Sequence, residues 1–368
     1  MHSSSTLTAQ SFKTFADYTD MKDLLGKVHS SKSSQALRPY LVKEKVKSRE
    51  DNPMYTDHWY LLLRRGLFGA QVEKAMAEID LYFLGYSTDI EIIKEGENYY
   101  VASREIKAFT EWAYCSNKVT TLADGTLALA NKKSHTIIKG MGTVFTLADF
   151  FGISDPHEHN FGIQENEKEC LIFQIDKEHS FDFKEKDEEG YHNFETELSN
   201  GMFSGLKASL AETAWFKQEK QALLRKIAET DFSIIENILR KNITSNQLES
   251  SRWLRNYMLK FGTDYEKKTF SDPKVSRQFD EADESQHGVE SIIQKLRKKH
   301  ENLRKELNIT AITTQTKVSY LPSAANFFKS TSSIKDFKHQ SDEPEVLVRI
   351  DATTEADIIT VSLSLTSR

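Results

Sequence analysis

With 368 residues, 38% hydrophobic and 28% charged, the chain is long enough to bury a large core, and its net charge of −6 excludes a globally basic nucleic-acid or membrane-surface protein. Its two cysteines, Cys115 and Cys170, exclude a disulfide framework and a cysteine-rich zinc module and point to a reducing compartment. No stretch approaches the roughly 20 apolar residues of a membrane-spanning helix, and "MHSSSTLTAQSFKTF" lacks the apolar core of a signal peptide, so a cytoplasmic protein is expected.

Residues 1–23 are polar and predict a flexible N-terminus. Over 24–50 a Gly/Ser-rich turn precedes "PYLVKEK", whose alternation predicts a strand with Leu41 and Lys43 on one face and Val42 on the other. The segment 69–85, "GAQVEKAMAEIDLYFLG", sets Val72, Ala75, Met76, Ile79 and Phe83 at helical spacing, with Gly85 as a stop. "DIEIIKEG" and "ENYYVASREI" read as a hairpin joined by "KEGEN", and "IKAFTEWAYCSN" reads as a helix. Next comes "GISDPHEHNFGI" (152–163), and then "ECLIFQID" (169–176), a buried strand. The run 182–197 carries seven acidic residues against two lysines, an exposed loop. From about 203 to 307 the pattern is helical. Residues 309–342 are Ser/Thr-rich, and "EVLVRI" and "DIITVSLSL" predict a closing hairpin. A mixed first part, a polar loop and then helices make a two-lobe α+β plan.

The polar loop carries the chemistry. Asp155, His157 and Asn160, with Asp176 ending the strand that follows, suit phosphoryl transfer from ATP. One carboxylate orients the acceptor hydroxyl and takes its proton, while the Asn and the later Asp hold Mg²⁺ or Mn²⁺ against the phosphates. Taken bare, Asp-x-His-x-x-Asn reads equally as a crowded polar turn. Two rivals use the same region. His157, His159, Cys170 and His179 offer zinc ligands, although Pro156 and Gly162 suggest a loop that would not align them. Cys115 or Cys170 as nucleophile lacks a base at a suitable spacing, and Cys170 reads as core strand.

"SDPHEHNFGI…IFQIDKEH" resembles the catalytic and metal-binding loops of the phosphatidylinositol 3/4-kinase-like branch of the protein-kinase-like superfamily. The resemblance covers about residues 24–260. It implies a bilobal kinase-like fold, with a flexible segment 1–23, an N-lobe over 24–115, a helical C-lobe over 116–308 and a small appendage over 309–368. It makes Asp155 the catalytic Asp, His157 a brace of the loop, and Asn160 and Asp176 the metal ligands. Glu73 takes the ion-pair Glu of the lobe helix, and Lys43 the strand lysine that pairs with it and contacts the phosphates. "HSSKSS", with Ser31 and Ser33, is the candidate phosphate loop. "YYVASREIKAF", with Ser103 and Glu105, falls where the hinge receives adenine. Secreted bacterial effector kinases, which act in a host cytoplasm and can lie against membranes, share this divergent style.

The departures are Pro156, Lys177 and Glu178, and a phosphate loop poor in glycine; they leave room for a nucleotide-binding pseudokinase that acts as an interaction module. The acidic run after Asp176 would repel a polyphosphoinositide headgroup, so a protein acceptor is weighed slightly above phosphatidylinositol. On "QKLRKKHENLRKEL", Lys295, Arg297, Lys298 and Lys299 read either as a solvated helix face or as a docking site for an inositol polyphosphate or phosphoinositide.

Overall fold

The computed structural model describes residues 12–23, 40–45, 52–64, 66–130, 135–153, 158–166, 169–181, 208–262, 264–272 and 288–309. The architecture is α+β. Strands β1 (Tyr18–Asp23), β2 (Tyr40–Glu44), β3 (Tyr55–Leu63), β4 (Ile90–Glu95) and β5 (Asn98–Ile106) form an antiparallel sheet in the order β1-β2-β3-β5-β4. Alternation sorts its side chains. Val42, Trp59, Leu61, Ile93 and Ala102 pack on one face with Tyr18. Ile90, Ile92 and Val101 turn to the other face and meet Ala70 and Ala77 of helix α1 (Gly66–Leu84).

The expectation of a flexible N-terminus is corrected here: Tyr18–Asp23 is a sheet strand, with Thr19 opposite Lys43. Its anchors are aromatic rather than alternating. Tyr18 stands edge-on to Trp59 at 6.4 Å, and Phe15 meets Tyr100 at 4.7 Å. Rings three residues apart in a polar run carry no strand periodicity, which is why this strand escapes a pattern reading.

Helix α1 is buried on most of its circumference. Besides the alanine face toward the sheet, Phe68, Val72, Met76, Ile79 and Phe83 enter the main core, and Gly85, at φ +81, ends the helix. Burial of this kind, more than intrinsic propensity, stabilises such a helix.

A second sheet contains β6 (Phe109–Glu111), β7 (Val119–Thr121), β8 (Leu127–Ala130), β9 (His135–Lys139), β10 (Phe161–Glu165) and β11 (Cys170–Gln174), ordered β6-β10-β11-β9-β8-β7. The helix expected over 106–117 is instead strand β6 followed by a single turn, α2 (Trp112–Cys115). Tertiary pairing overrides the local pattern. Gly162 of β10 lies so close that a Cβ there would sit 2.3 Å from Phe109 Cζ, and this seats the Phe109 ring against bare backbone.

Helices α3 (Met141–Phe150), α4 (Ala214–Glu229), α5 (Phe232–Asn242), α6 (Gln247–Phe261), α7 (Asp264–Phe270) and α8 (Val289–Glu306) complete the described chain. No helix among the described residues is long and apolar enough to cross a membrane. The Ser/Thr-rich tail and closing hairpin lie outside the described residues.

The later helices satisfy the ends of the earlier ones. Glu219 of α4 accepts from the Gly140 and Gly142 amides, at 3.0 and 2.9 Å, at the start of α3. Lys226 donates to the Tyr82 and Phe83 carbonyls near the end of α1, at 3.2 and 2.8 Å. Lys299 does the same for Asp149 and Phe150 at the end of α3, at 3.0 and 2.8 Å. Each places charge where the helix dipole favours it.

The same packing involves part of the basic face of α8. Lys299 is a helix cap, and Arg297 is bonded to Glu236 with its guanidinium 4.7 Å from the Phe232 ring. Lys295, Arg297 and Lys298 are exposed. Replacing Lys226 or Lys299 by Met is expected to lower stability by about 0.5–1.5 kcal/mol each, close to additively because they cap different helices. Urea titration of the single and double variants measures it.

Candidate active site

The β10–β11 hairpin builds one side of the site. Its register pairs Phe161 with Gln174 and Glu165 with Cys170. One rung further, the Ile175 amide donates to the Asn160 carbonyl at 2.8 Å. Asn160 therefore lies opposite Ile175 at the open end of the hairpin, with Asp176 the next residue along. Asn160 is buried. Asp176 leaves the strand at φ +55, and its side chain is 36% exposed.

The other side comes from the first sheet and α1. Arg64, just past the end of β3, is 4% exposed, and its amide donates to the Tyr99 carbonyl at 2.9 Å. Its Nε lies 2.6 Å from Glu73 Oε2, and its Nη1 lies 3.3 Å from Asp176 Oδ1. Glu178 is buried nearby and packs on the first turn of α1, where its Oε2 would be 3.2 Å from a Cβ added at Gly69. One buried guanidinium thus faces three carboxylates. Burial opposes the Arg64 charge, but Asp176, Glu73 and Glu178 outweigh it and hold the guanidinium protonated. Burial pushes the Glu73 carboxyl up to about 7 against the pull of Arg64, with Asp176 and Glu178 adding to the push.

A second buried pair lies next to the first. Lys177, 1% exposed, donates to Asp80 of α1. Burial raises the Asp80 carboxyl above its ordinary range against the pull of Lys177. Glu73 and Asp80 are seven residues apart, about two full turns, so one face of α1 holds both contacts.

The expected Lys43–Glu73 pair is corrected: Glu73 is paired with Arg64. Lys43 sits in β2 between Thr19 and His58 of the neighbouring strands. Ser103 and Glu105, expected at an adenine-facing hinge, lie inside β5. Ser103 is paired with Tyr60 and Ile90, and the Glu105 carboxylate accepts from Thr56 Oγ1 at 2.6 Å and from the Tyr60 hydroxyl at 2.9 Å. The passage between the sheets is Lys107–Ala108. The Lys107 amide donates to the Met54 carbonyl at 2.9 Å, and Gln164 Nε2 lies 3.2 Å from both the Met54 and Lys107 carbonyls. Ser31, Ser33, Asp155 and His157 lie outside the described residues.

Arg64 escaped sequence reasoning because "LLLRRGLF" falls between a strand and a helix and has no period. The available signal was an arginine pair joining a continuous apolar strand to a helix with an acid on its buried side.

Oxygen donors from Asn160 and Asp176 suit a hard divalent cation, which keeps waters and phosphate oxygens in its remaining positions. Arg64 engages one Asp176 oxygen, and the side chain's partial exposure leaves the carboxylate accessible, so these residues fit Mg²⁺ or Mn²⁺. Among the described residues no group of three or more His, Cys, Asp or Glu is placed to hold a metal, and His157, one of the expected zinc ligands, lies outside them. His159 is exposed and pairs with Glu111 at 3.1 Å. Burial pushes the Cys115 and Cys170 thiols up to about 11 each, which leaves neither a ready nucleophile.

Glu73 makes a pH prediction. Its carboxyl rises from 4.5 to about 7 on folding, so between those values the folded chain keeps a proton that the unfolded chain has lost. Stability falls as pH rises through that window, by up to about 1.4 kcal/mol per unit. Glu73→Gln is expected to flatten this slope in denaturant titrations from pH 4 to 8.

No family model matches the sequence, and no curated protein matches it. Among solved structures, the crystal structure of a Helicobacter pylori proinflammatory kinase, CtkA, is similar to this chain at 12% identity and a TM-score of 0.37, over 74% of this chain and 100% of that one. At that score the likeness carries no argument for fold or activity.

Proposed function

We propose that the chain is an atypical ATP-dependent phosphotransferase that moves the γ-phosphate to a hydroxyl acceptor with Mg²⁺ or Mn²⁺. One observation carries the reading: the hairpin bonds Asn160 to Ile175, the residue before Asp176, with the buried Arg64–Glu73 pair braced on Asp176. In this reading Asn160 and Asp176 hold the ion. When bound, the ion supplies neutralisation of the charge that develops on the phosphates. Arg64 pairs with one oxygen of the Asp176 carboxylate, and Glu73 keeps Arg64 in place. Asp155, five residues before Asn160 in the sequence, takes the role of orienting the acceptor hydroxyl and accepting its proton.

The acidic run over 182–197 favours a basic protein as acceptor, because clustered carboxylates repel a multiply phosphorylated headgroup. Phosphatidylinositol is the second acceptor class.

The test is transfer from γ-labelled ATP with Mg²⁺ or Mn²⁺, offering a basic protein and phosphatidylinositol vesicles and separating protein-bound from lipid-extracted label. Transfer is expected to fall on the order of 100-fold or more in Asp176→Ala and Asn160→Ala. Label undiminished in Asp176→Ala overturns the assignment. Nucleotide binding without transfer to any acceptor makes the chain a nucleotide-binding interaction module instead.

A further inference from the structure

Asp176 is followed by a lysine whose charge is taken out of water altogether. The Lys177 side chain is 1% exposed and bonded to Asp80, 97 residues earlier in the chain. Its carbonyl accepts from the Ser180 amide at 3.1 Å and from Ser180 Oγ at 2.8 Å, and the Phe181 amide reaches the Phe151 carbonyl at 2.9 Å. The residue just before this anchored segment is Asp176, at φ +55. Aspartate enters that left-handed region more readily than most residues with a Cβ, but it is still an uncommon conformation that its surroundings help to hold. Arg64 restrains the Asp176 carboxylate through a single oxygen at 3.3 Å, a contact that can follow the side chain if the backbone turns. The backbone is restrained on both sides, by the Ile175 amide on the Asn160 carbonyl before it and by the anchored Lys177 after it.

A buried ion pair is a poor device for stability alone, since an apolar pair of similar volume often serves as well or better. What an ion pair adds is direction. This one joins α1 to the peptide unit that follows Asp176, on the helix face that also carries Glu73.

We infer that Lys177 is a positioning residue: its bond to Asp80 holds Asp176 in the left-handed conformation that aims the carboxylate at a divalent cation beside Asn160. The inference rests on the assignment of Asn160 and Asp176 as metal ligands made above. Without the anchor, Asp176 relaxes to an ordinary φ and its carboxylate swings away from the Asn160 side chain, while the rest of the nucleotide site is untouched.

The test uses the full chain with the paired substitution Lys177→Met/Asp80→Leu, which removes both charges at similar volume. Lys177→Met alone would leave Asp80 buried without its partner, so it is not the informative variant. The probe is Mn²⁺, titrated by electron paramagnetic resonance in the presence of a non-hydrolysable ATP analogue. Binding of the analogue without metal and the melting temperature are measured beside it. The paired variant is expected to melt at or above the wild-type temperature and to bind the metal-free analogue as wild type does. Its Mn²⁺ affinity is expected to be about 10-fold or more weaker, as when a group that orients a metal ligand is lost.

Unchanged Mn²⁺ affinity in the paired variant overturns the positioning role and leaves the metal assignment standing. A fall in melting temperature, or failure to fold, makes the pair a stability element and also overturns it. Absence of Mn²⁺ binding in wild type, or equal binding by Asp176→Ala, removes the metal assignment itself, and the inference with it.

Discussion

A buried guanidinium surrounded by three carboxylates is the constraint around which the described site is arranged. Arg64 cannot shed its proton in a protein, so the chain must keep acids against it wherever it is buried. Glu73 comes from α1, and Asp176 and Glu178 come from the segment after β11. A strand end, a helix and a hairpin are thereby bound to one charge. The acids outnumber the cation, and the surplus negative charge lies next to the most exposed of the three, Asp176. A site of that sign attracts a cation and disfavours a bare phosphate.

Helix α1 lets this arrangement coexist with a dry core. Its circumference is divided among an alanine face to the sheet, a face of larger apolar residues to the main core, and the Glu73–Asp80 line between them. Each acid is bonded to a cation from another element, which is the condition for burying charge at tolerable cost. Arg64 and Lys177 approach the helix from opposite sides of Asp176 in the chain, so the two pairs act on one segment without competing for a partner.

Much of this was legible before the structure. The helical spacing from Val72 to Phe83, the hairpin around "KEGEN" and the strand "ECLIFQID" follow from local periodicity, which burial on one face imposes. The pairing of β10 with β11 was not: 152–163 read as a polar loop, and Asn160 was tied to Asp176 only through the resemblance. What stayed hidden depends on contacts far apart in the chain. Glu73 was singled out for its place on α1, but nothing local distinguishes Arg64 from Lys43 as its partner. Lys177 and Glu178 looked like defects in a motif, whereas the structure turns both inward against α1. The short strand β6 was masked because Phe109 finds its seat on the bare backbone of Gly162, a neighbour only after folding.

The capping of early helices by late ones bears on how the chain comes off the ribosome. Lys299 reaches back 150 residues to the Asp149 carbonyl, and Lys226 reaches back 144 to that of Tyr82. Until α4 and α8 emerge, the ends of α1 and α3 have only water for these carbonyls, and the apolar face of α1 has only part of its cover. The N-terminal half must then wait with part of its apolar surface uncovered until the later helices are made. Slow translation before residue 300 would prolong that exposure.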